Sequence, residues 1–232
     1  MSESLEPDHL NVETLAAVID HTLLQPDHTV EDVERVCLEA ITYGFHTVCV
    51  PPYDIERVVA LLHGTDVAAG AAVGVPFGHD NLEAKRAAAC HAIESGADEI
   101  DMLINLVAMK SGRYADVRAE IAALRKIAEG GVLKVILECC YLSDEEKARG
   151  CELALEAGAD FVKTSTGFGP GGATVHDVHL LVQAVGGRAL VKAAGGIRTF
   201  LAVQEFLKAG AARIGTSAGP AIIQDFQNRE DV

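Results

Sequence analysis

The sequence predicts an α/β fold: a single (β/α)8 TIM barrel with a short N-terminal helix, one domain over residues 1–232. Three observations predict it. A pattern recurs in which a helix-like stretch ends in small residues and Gly, and a strand-like stretch follows. Its copies are ITYGFHTVCV, ESGADEIDMLI, EAGADFVKTS and KAGAARIGTS, with glycines at Gly44, Gly96, Gly158 and Gly210. Their spacing is close to that of two βα units of about 30 residues each, and candidate strands lie between the copies. Eight evenly spaced units favour a closed barrel over a doubly wound open sheet, and a chain of 232 residues is close to the roughly 250 typical of one.

In chain order, the first strand falls near Val18–Thr22, and VEDVERVCLEAI at 30–41 has the amphipathic pattern of a helix. HTVCVPP at 46–52 and VAAGAAVGV at 67–75 supply the next two strands. NLEAKRAAACHAI at 81–93 follows as a helix with Asn81 as its N-cap. The fourth and fifth strands are EIDMLIN at 99–105 and LKVILE at 133–138. A helix from Ser143 has a Glu three residues on, the signature of a capping box. FVKTST at 161–166 runs into the Gly-rich loop 166–172, ALVKAA at 189–194 is the seventh strand, and RIGTS at 213–217 the eighth. The strands read as apolar on both parities, as expected when both faces of a parallel sheet are buried.

Hydrophobic residues make up 49% of the chain, enough for a sizeable core. No apolar run is long enough for a membrane helix, and the acidic, polar start MSESLEPDHLNVE lacks the pattern of a signal peptide. A cytoplasmic protein without membrane association is expected. The net charge of −15 and only 19 Lys and Arg argue against a nucleic-acid partner. Cys37, Cys49, Cys90, Cys139, Cys140 and Cys151 form no C-x-x-C pair and read as reduced thiols.

Barrels of this kind do chemistry at the C-terminal ends of their strands. Polar residues there are Asp20, Cys49, Asp101, Lys134, Glu138, Lys163 and Lys192. A lone lysine in an apolar strand is most simply a snorkelling side chain or half of an ion pair. Lys163 and Lys192 are one βα unit apart and should sit side by side. Two ammonium groups about 5 Å apart repel by roughly 3 kcal/mol at an effective dielectric near 20. A structural design avoids that pairing, whereas an amine nucleophile benefits from it, because only the neutral amine attacks a carbonyl. Asp101 fits equally a structural acid paired to a lysine and a proton-shuttling acid/base.

The seventh strand ends in Gly195-Gly196-Ile197-Arg198 and the eighth in Gly215-Thr216-Ser217. Loops after strands 7 and 8 often bind phosphate, and glycines let backbone N–H groups approach it. His176 and His179 have metal-like spacing but no third ligand in view, so no metal site is expected. Cys139 and Cys140 read as strand neighbours pointing to opposite faces. His21 and His79 lie near strand ends, where core or solvated roles compete with a substrate contact.

The segments IDHTLL at 19–24, HTVCVPP, DEIDMLIN at 98–105, LKVILE, FVKTSTGF at 161–168, VKAAGGIR at 191–198 and RIGTSAG at 213–219 together resemble the deoxyribose-phosphate aldolase family, in order and across nearly the whole chain. The resemblance implies a class I aldolase in deoxyribonucleoside catabolism, reversibly cleaving 2-deoxy-D-ribose 5-phosphate to D-glyceraldehyde 3-phosphate and acetaldehyde. It implies Lys163 as the Schiff-base lysine, Lys192 as the lysine that tunes it and Asp101 as the proton relay. Asp20, Cys49 and Thr164 would line the substrate pocket, and Gly167, Gly195, Gly196, Gly215 and Ser217 would bind phosphate. It implies no metal or organic cofactor, and a homo-oligomer, dimer or tetramer.

The chain departs from the family in places. Ala218 stands where many relatives carry a second Ser, the loop Val75–His79 differs from the usual form, and the tail after Ile223 has no Tyr. Another Schiff-base aldolase or a transaldolase needs only one strand lysine, so the pair favours the first reading. A non-catalytic phosphosugar-binding barrel would not need either.

Overall fold

A computed structural model describes residues 10–230. The start of the polar N-terminal stretch and the last two residues of the tail lie outside the described residues. Eight parallel strands close into a barrel in chain order: β1 (Ile19–Thr22), β2 (Thr47–Val50), β3 (Ala68–Val73), β4 (Glu99–Leu103), β5 (Val132–Ile136), β6 (Phe161–Lys163), β7 (Leu190–Ala194) and β8 (Arg213–Thr216). β8 pairs back onto β1 through Ile214 and Ile19. The helices are α1 (Val12–Ala16), α2 (Val30–Tyr43), α3 (Ile55–Leu62), α4 (Leu82–Glu94), α5 (Leu106–Lys110), α6 (Tyr114–Ile127), α7 (Asp144–Glu156), α8 (Val175–Val185), α9 (Phe200–Lys208) and α10 (Gly219–Glu230). α1 is the short N-terminal helix expected from the sequence.

Local chemistry sets the element ends. Thr29 and Ser143 each close a capping box, with Asp32 and Glu146, and Asn81 accepts from the Ala84 N–H. Each such cap supplies an acceptor to an N–H that the first helical turn leaves unpaired. The four repeat glycines all take positive φ where a helix gives way to a strand. At Gly44 (φ 72°) the left-handed residue ends α2 and its N–H returns to the Ala40 carbonyl, a turn that any side chain would strain.

The strands are largely apolar on one parity, while the other mixes apolar residues such as Leu103, Ile136 and Phe161 with charged ones. Ile100, Met102, Leu133, Val135, Val162, Val191, Ala193 and Ile214 are buried under the helices. The other parity carries Asp20, Glu99, Asp101, Lys134, Lys163 and Lys192, all nearly inaccessible to solvent. This corrects the expectation of strands apolar on both faces. Small residues make room for these long side chains: a Cβ on Gly215 would lie 3.0 Å from Lys192 Cε. Cys139 and Cys140 also depart from expectation. β5 ends at Ile136, and the two cysteines lie in a short 3-10 turn, Cys139 buried and Cys140 exposed.

Candidate active site

Register brings the charged residues together. Lys163 lies opposite Lys192 across β6 and β7, and Asp101 opposite Lys134 across β4 and β5. Asp101 Oδ2 accepts from Lys163 Nζ at 2.7 Å and from Lys192 Nζ at 2.8 Å, while its Oδ1 lies 3.1 Å from Lys134 Nζ. Asp20 Oδ2 pairs with Lys192 at 2.5 Å and Lys134 at 3.0 Å, and its Oδ1 accepts from Arg213 at 2.8 Å. Glu99 completes the cluster on Lys134 and accepts from the Thr47 hydroxyl.

Four cations therefore face three carboxylates in the barrel interior: Lys134, Lys163, Lys192 and Arg213 against Asp20, Glu99 and Asp101. His46 touches Arg213, and both burial and that guanidinium push its imidazole down, toward the neutral form. The cluster carries one positive charge in excess, so it reaches neutrality when a single ammonium gives up its proton.

The titration directions follow from this geometry. Burial opposes the ionised form of Asp101, yet Lys134, Lys163 and Lys192 hold it well below the usual carboxylate range. Asp20 is depressed likewise, by Lys134, Lys192 and Arg213. Burial also opposes the charge on Lys192, but Asp101 and Asp20 outweigh it and hold its ammonium above the ordinary range. The sequence-based picture of two bare, mutually repelling ammonium groups is thus corrected, because a shared carboxylate oxygen lies between them. The sequence marks Lys134 as a polar strand residue without a role, and it does not single out Glu99 or Arg213. A usable signal was parity, since Glu99 is two residues from Asp101 and Arg213 two from Gly215.

Above the cluster a cavity of about 140 Å³ opens at the C-terminal face. Of the three lysines in the cluster, Lys163 alone lines it. Thr166, Gly167, Gly195, Gly196, Arg198, Gly215 and Ser217 also line it. Among the described residues, the backbone N–H groups of Gly167, Gly196 and Ser217 have no protein acceptor. They are free donors beside a guanidinium, an arrangement suited to an anion. Thr216 ties the two loops together: its hydroxyl donates to Ile197 O at 2.6 Å and accepts from the Ala218 N–H at 2.9 Å.

Other expected residues sit elsewhere. Thr164 does not line the cavity; its hydroxyl donates to the Ala194 carbonyl and accepts from the Ala194 N–H, both at 3.1 Å. Cys49 is fully buried, and burial and Asp101 push its thiol up. Asp20 lies deep in the ion cluster rather than on the cavity wall. His21 is buried against Phe45 with Nε2 2.7 Å from Glu39 Oε2, a core role, and His79 is exposed beside Phe77. His176 does have carboxylate neighbours, Asp144 and Asp177. The Lys147 ammonium already pairs with both, at 2.9 and 2.6 Å.

Known proteins share this arrangement of fold and sequence. The family model for DeoC/LacD family aldolases matches residues 14–225. The chain is 50% identical over 220 residues to a deoxyribose-phosphate aldolase of Thermococcus gammatolerans, covering 93% of this chain and 98% of that one. It is 48% identical over 218 residues to the deoxyribose-phosphate aldolase of Caldanaerobacter subterraneus, covering 93% and 94%. The tetrameric deoxyribose phosphate aldolase of Aeropyrum pernix superposes with a TM-score of 0.90 at 34% identity, over 96% of this chain and 95% of that one. The protein with the lysine-lined cavity is a member of the DeoC/LacD family of aldolases.

Proposed function

We propose that the protein reversibly cleaves 2-deoxy-D-ribose 5-phosphate to D-glyceraldehyde 3-phosphate and acetaldehyde through a Schiff base on Lys163, in deoxyribonucleoside catabolism. The observation that carries this reading is that Lys163 reaches the cavity while sharing Asp101 Oδ2 with Lys192.

The free Lys163 amine adds to the C1 aldehyde of the open-chain sugar, and loss of water leaves an iminium. The C2–C3 bond breaks as the C3 hydroxyl gives up its proton, releasing glyceraldehyde 3-phosphate. The bonding pair stays on C2 as an enamine, which is protonated and hydrolysed to acetaldehyde and free lysine. Asp101 is held as an anion by three ammonium groups and is by itself a poor proton store. It serves better as a bridge, passing a proton between Lys192 and the groups around Lys163. The N–H groups of Gly167, Gly196 and Ser217, with Arg198, hold the phosphate in the cavity. The reading also includes a homo-oligomer, supported by the tetrameric relative from Aeropyrum pernix.

Borohydride reduction with acetaldehyde tests this. The expected product carries about 28 Da more on the Lys163 peptide, the mass of a reduced two-carbon imine. An adduct mainly on Lys192 reverses the assignment, and no adduct on either lysine removes the aldolase chemistry.

A further inference from the structure

Glu138 has no part in the chemistry above, yet its surroundings are unusual. It is buried, 1% exposed, just beyond β5 at the C-terminal face. Its backbone is left-handed (φ 56°, ψ 64°), and among the described residues no other non-glycine has positive φ. A residue with a side chain stays in that conformation when its surroundings impose it, and such positions cluster at functional sites.

The carboxylate accepts from the Thr166 N–H, 3.2 Å from each oxygen, and from the Thr166 hydroxyl. That hydroxyl in turn accepts from the Phe168 N–H at 3.0 Å. The residues on both sides of Gly167 are thereby tied down, and Gly167 lines the cavity with its N–H unpaired among the described residues. The rest of the loop has no slack. A Cβ on Gly169 would lie 2.7 Å from Cys140 Sγ and 3.4 Å from Glu138 Cδ. One on Gly172 would lie 2.2 Å from the Gly195 carbonyl oxygen, which accepts from Ala173 N–H. The loop thus runs clamped from Glu138 to Gly195, which holds Gly167 in the wall of the cavity.

From this we infer that Glu138 is a positioning residue for phosphate recognition: through Thr166 it presets the 166–172 loop so that the Gly167 N–H, beside Gly195 and Gly196, meets the substrate's phosphate. The inference rests on the reading of the cavity as a phosphosugar site. Burial pushes the Glu138 carboxyl up, opposed by the Thr166 bonds. Those bonds are made best by the carboxylate, an acceptor at both oxygens. Glutamine keeps the shape but leaves one acceptor oxygen where Thr166 uses two.

The test compares kcat/KM on 2-deoxyribose 5-phosphate with that on 2-deoxyribose in the full chain, for wild type, Glu138→Gln, Thr166→Val and the double variant. The ratio of the two constants is the readout, because a loss common to both sugars cancels. Glu138→Gln should lower it about tenfold to hundredfold, the range of one lost hydrogen bond involving a charged group, and mainly through KM. Thr166→Val should lower it too, the double variant should fall no further than the worse single one, and Thr166→Ser should restore it. An unchanged ratio in a folded Glu138→Gln and in Thr166→Val overturns the inference. If Glu138→Gln does not fold, Thr166→Val decides alone. If the wild-type ratio is itself near one, the phosphosugar reading falls and the inference with it. Acetaldehyde trapping on Lys163 reports the lysine chemistry separately, since acetaldehyde has no phosphate.

Discussion

Asp101→Asn tests the centre of the site, because it removes one charge while nearly preserving shape. In the wild type the Asp101 carboxylate touches three ammonium groups at 2.7, 2.8 and 3.1 Å. A unit charge pair about 2.8 Å apart interacts by about 6 kcal/mol at an effective dielectric near 20, and desolvation of both partners offsets much of that. Breaking one buried ion pair typically costs about 3–5 kcal/mol. For a chain of this size that corresponds to a Tm lower by about 6–20 °C, at roughly 2–4 °C per kcal/mol. The interior excess rises from one positive charge to two, so a second ammonium comes under pressure to release its proton.

The chemical consequence separates two steps. Schiff-base formation needs an amine and a carbonyl, and it does not require Asp101 to ferry a proton at the enamine carbon. Turnover requires every proton transfer. Trapping with acetaldehyde and borohydride should therefore persist in Asp101→Asn, while kcat falls about 10²- to 10⁴-fold, the usual contribution of a positioned acid/base group. KM should change much less, as expected for an interaction made mainly in the transition state. The assay is steady-state kinetics beside single-turnover trapping, with thermal unfolding measured on the same preparation. A folded variant with kcat within about threefold of wild type would refute the reasoning and leave Asp101 a structural acid.

Other outcomes follow from the same geometry. Lys192→Met leaves three cations against three carboxylates, so the excess charge that favours release of a proton is gone; the rising limb of the pH–rate profile should move to higher pH, and an unmoved profile refutes the coupling. Gly196 has φ 78° and open space where a Cβ would stand, so Gly196→Val should strain the turn and crowd the cradle, lowering kcat/KM for the phosphorylated sugar far more than for deoxyribose. Ser217→Ala should cost only about 1–3 kcal/mol of binding, and an equal loss on both sugars in Gly196→Val would make that loop a support of the fold. Activity should survive exhaustive EDTA treatment, because the carboxylates beside His176 are already paired with Lys147; loss restored by a divalent ion would overturn the class I reading.

The barrel was legible because its signals are local. Helix caps at Thr29, Asn81 and Ser143, glycine stops at Gly44, Gly96, Gly158 and Gly210, and short apolar strands each depend on a few neighbouring residues. The pairing of Lys163 with Lys192 was legible too, since adjacent strands of a parallel barrel keep register over one βα unit. The ion cluster was not. Asp20 meets Lys134 across 114 residues and Arg213 across 193, and both contacts depend on the closure of β8 onto β1. The family resemblance puts the Thr164 hydroxyl in the pocket, but one step along the chain from Lys163 reverses the face. The left-handed backbone of Glu138 had no sequence signal, because glycine is the residue that usually announces it.

The buried charges also set how stability responds to pH. Asp20 and Asp101 are depressed in the fold, so their contribution is complete above the unfolded value near 3.9 and is lost as pH falls through the lower folded values. Lys134 and Lys192 are raised, so theirs is complete below about 10.4 and is lost as pH rises through the higher folded values. Between these limits the cluster contributes a constant amount. The thiols of Cys37, Cys49, Cys139 and Cys151, raised by burial, withdraw stability as pH rises past their unfolded value near 8.5. The histidines set the slope on the acid side. Burial holds His21 below its ordinary value despite Glu39 at 2.7 Å, and burial with Arg213 does the same to His46. The unfolded chain binds those protons more readily, so stability falls as pH drops below about 6.5 toward the folded values. His28, raised by the Gln25 carbonyl and Asp54 but far less buried, works in the opposite direction, as do the Glu120 and Glu138 carboxyls raised by burial, toward the low end of the range. Tm should therefore be level from about pH 7 to 8 and decline from about pH 6.5 to 5. His21→Gln, which keeps a donor for Glu39 without a titrating ring, should flatten part of that decline. A wild type whose Tm is the same at pH 5 and 7, or a His21→Gln variant with an unchanged acid slope, would show that the imidazole at 21 does not control it.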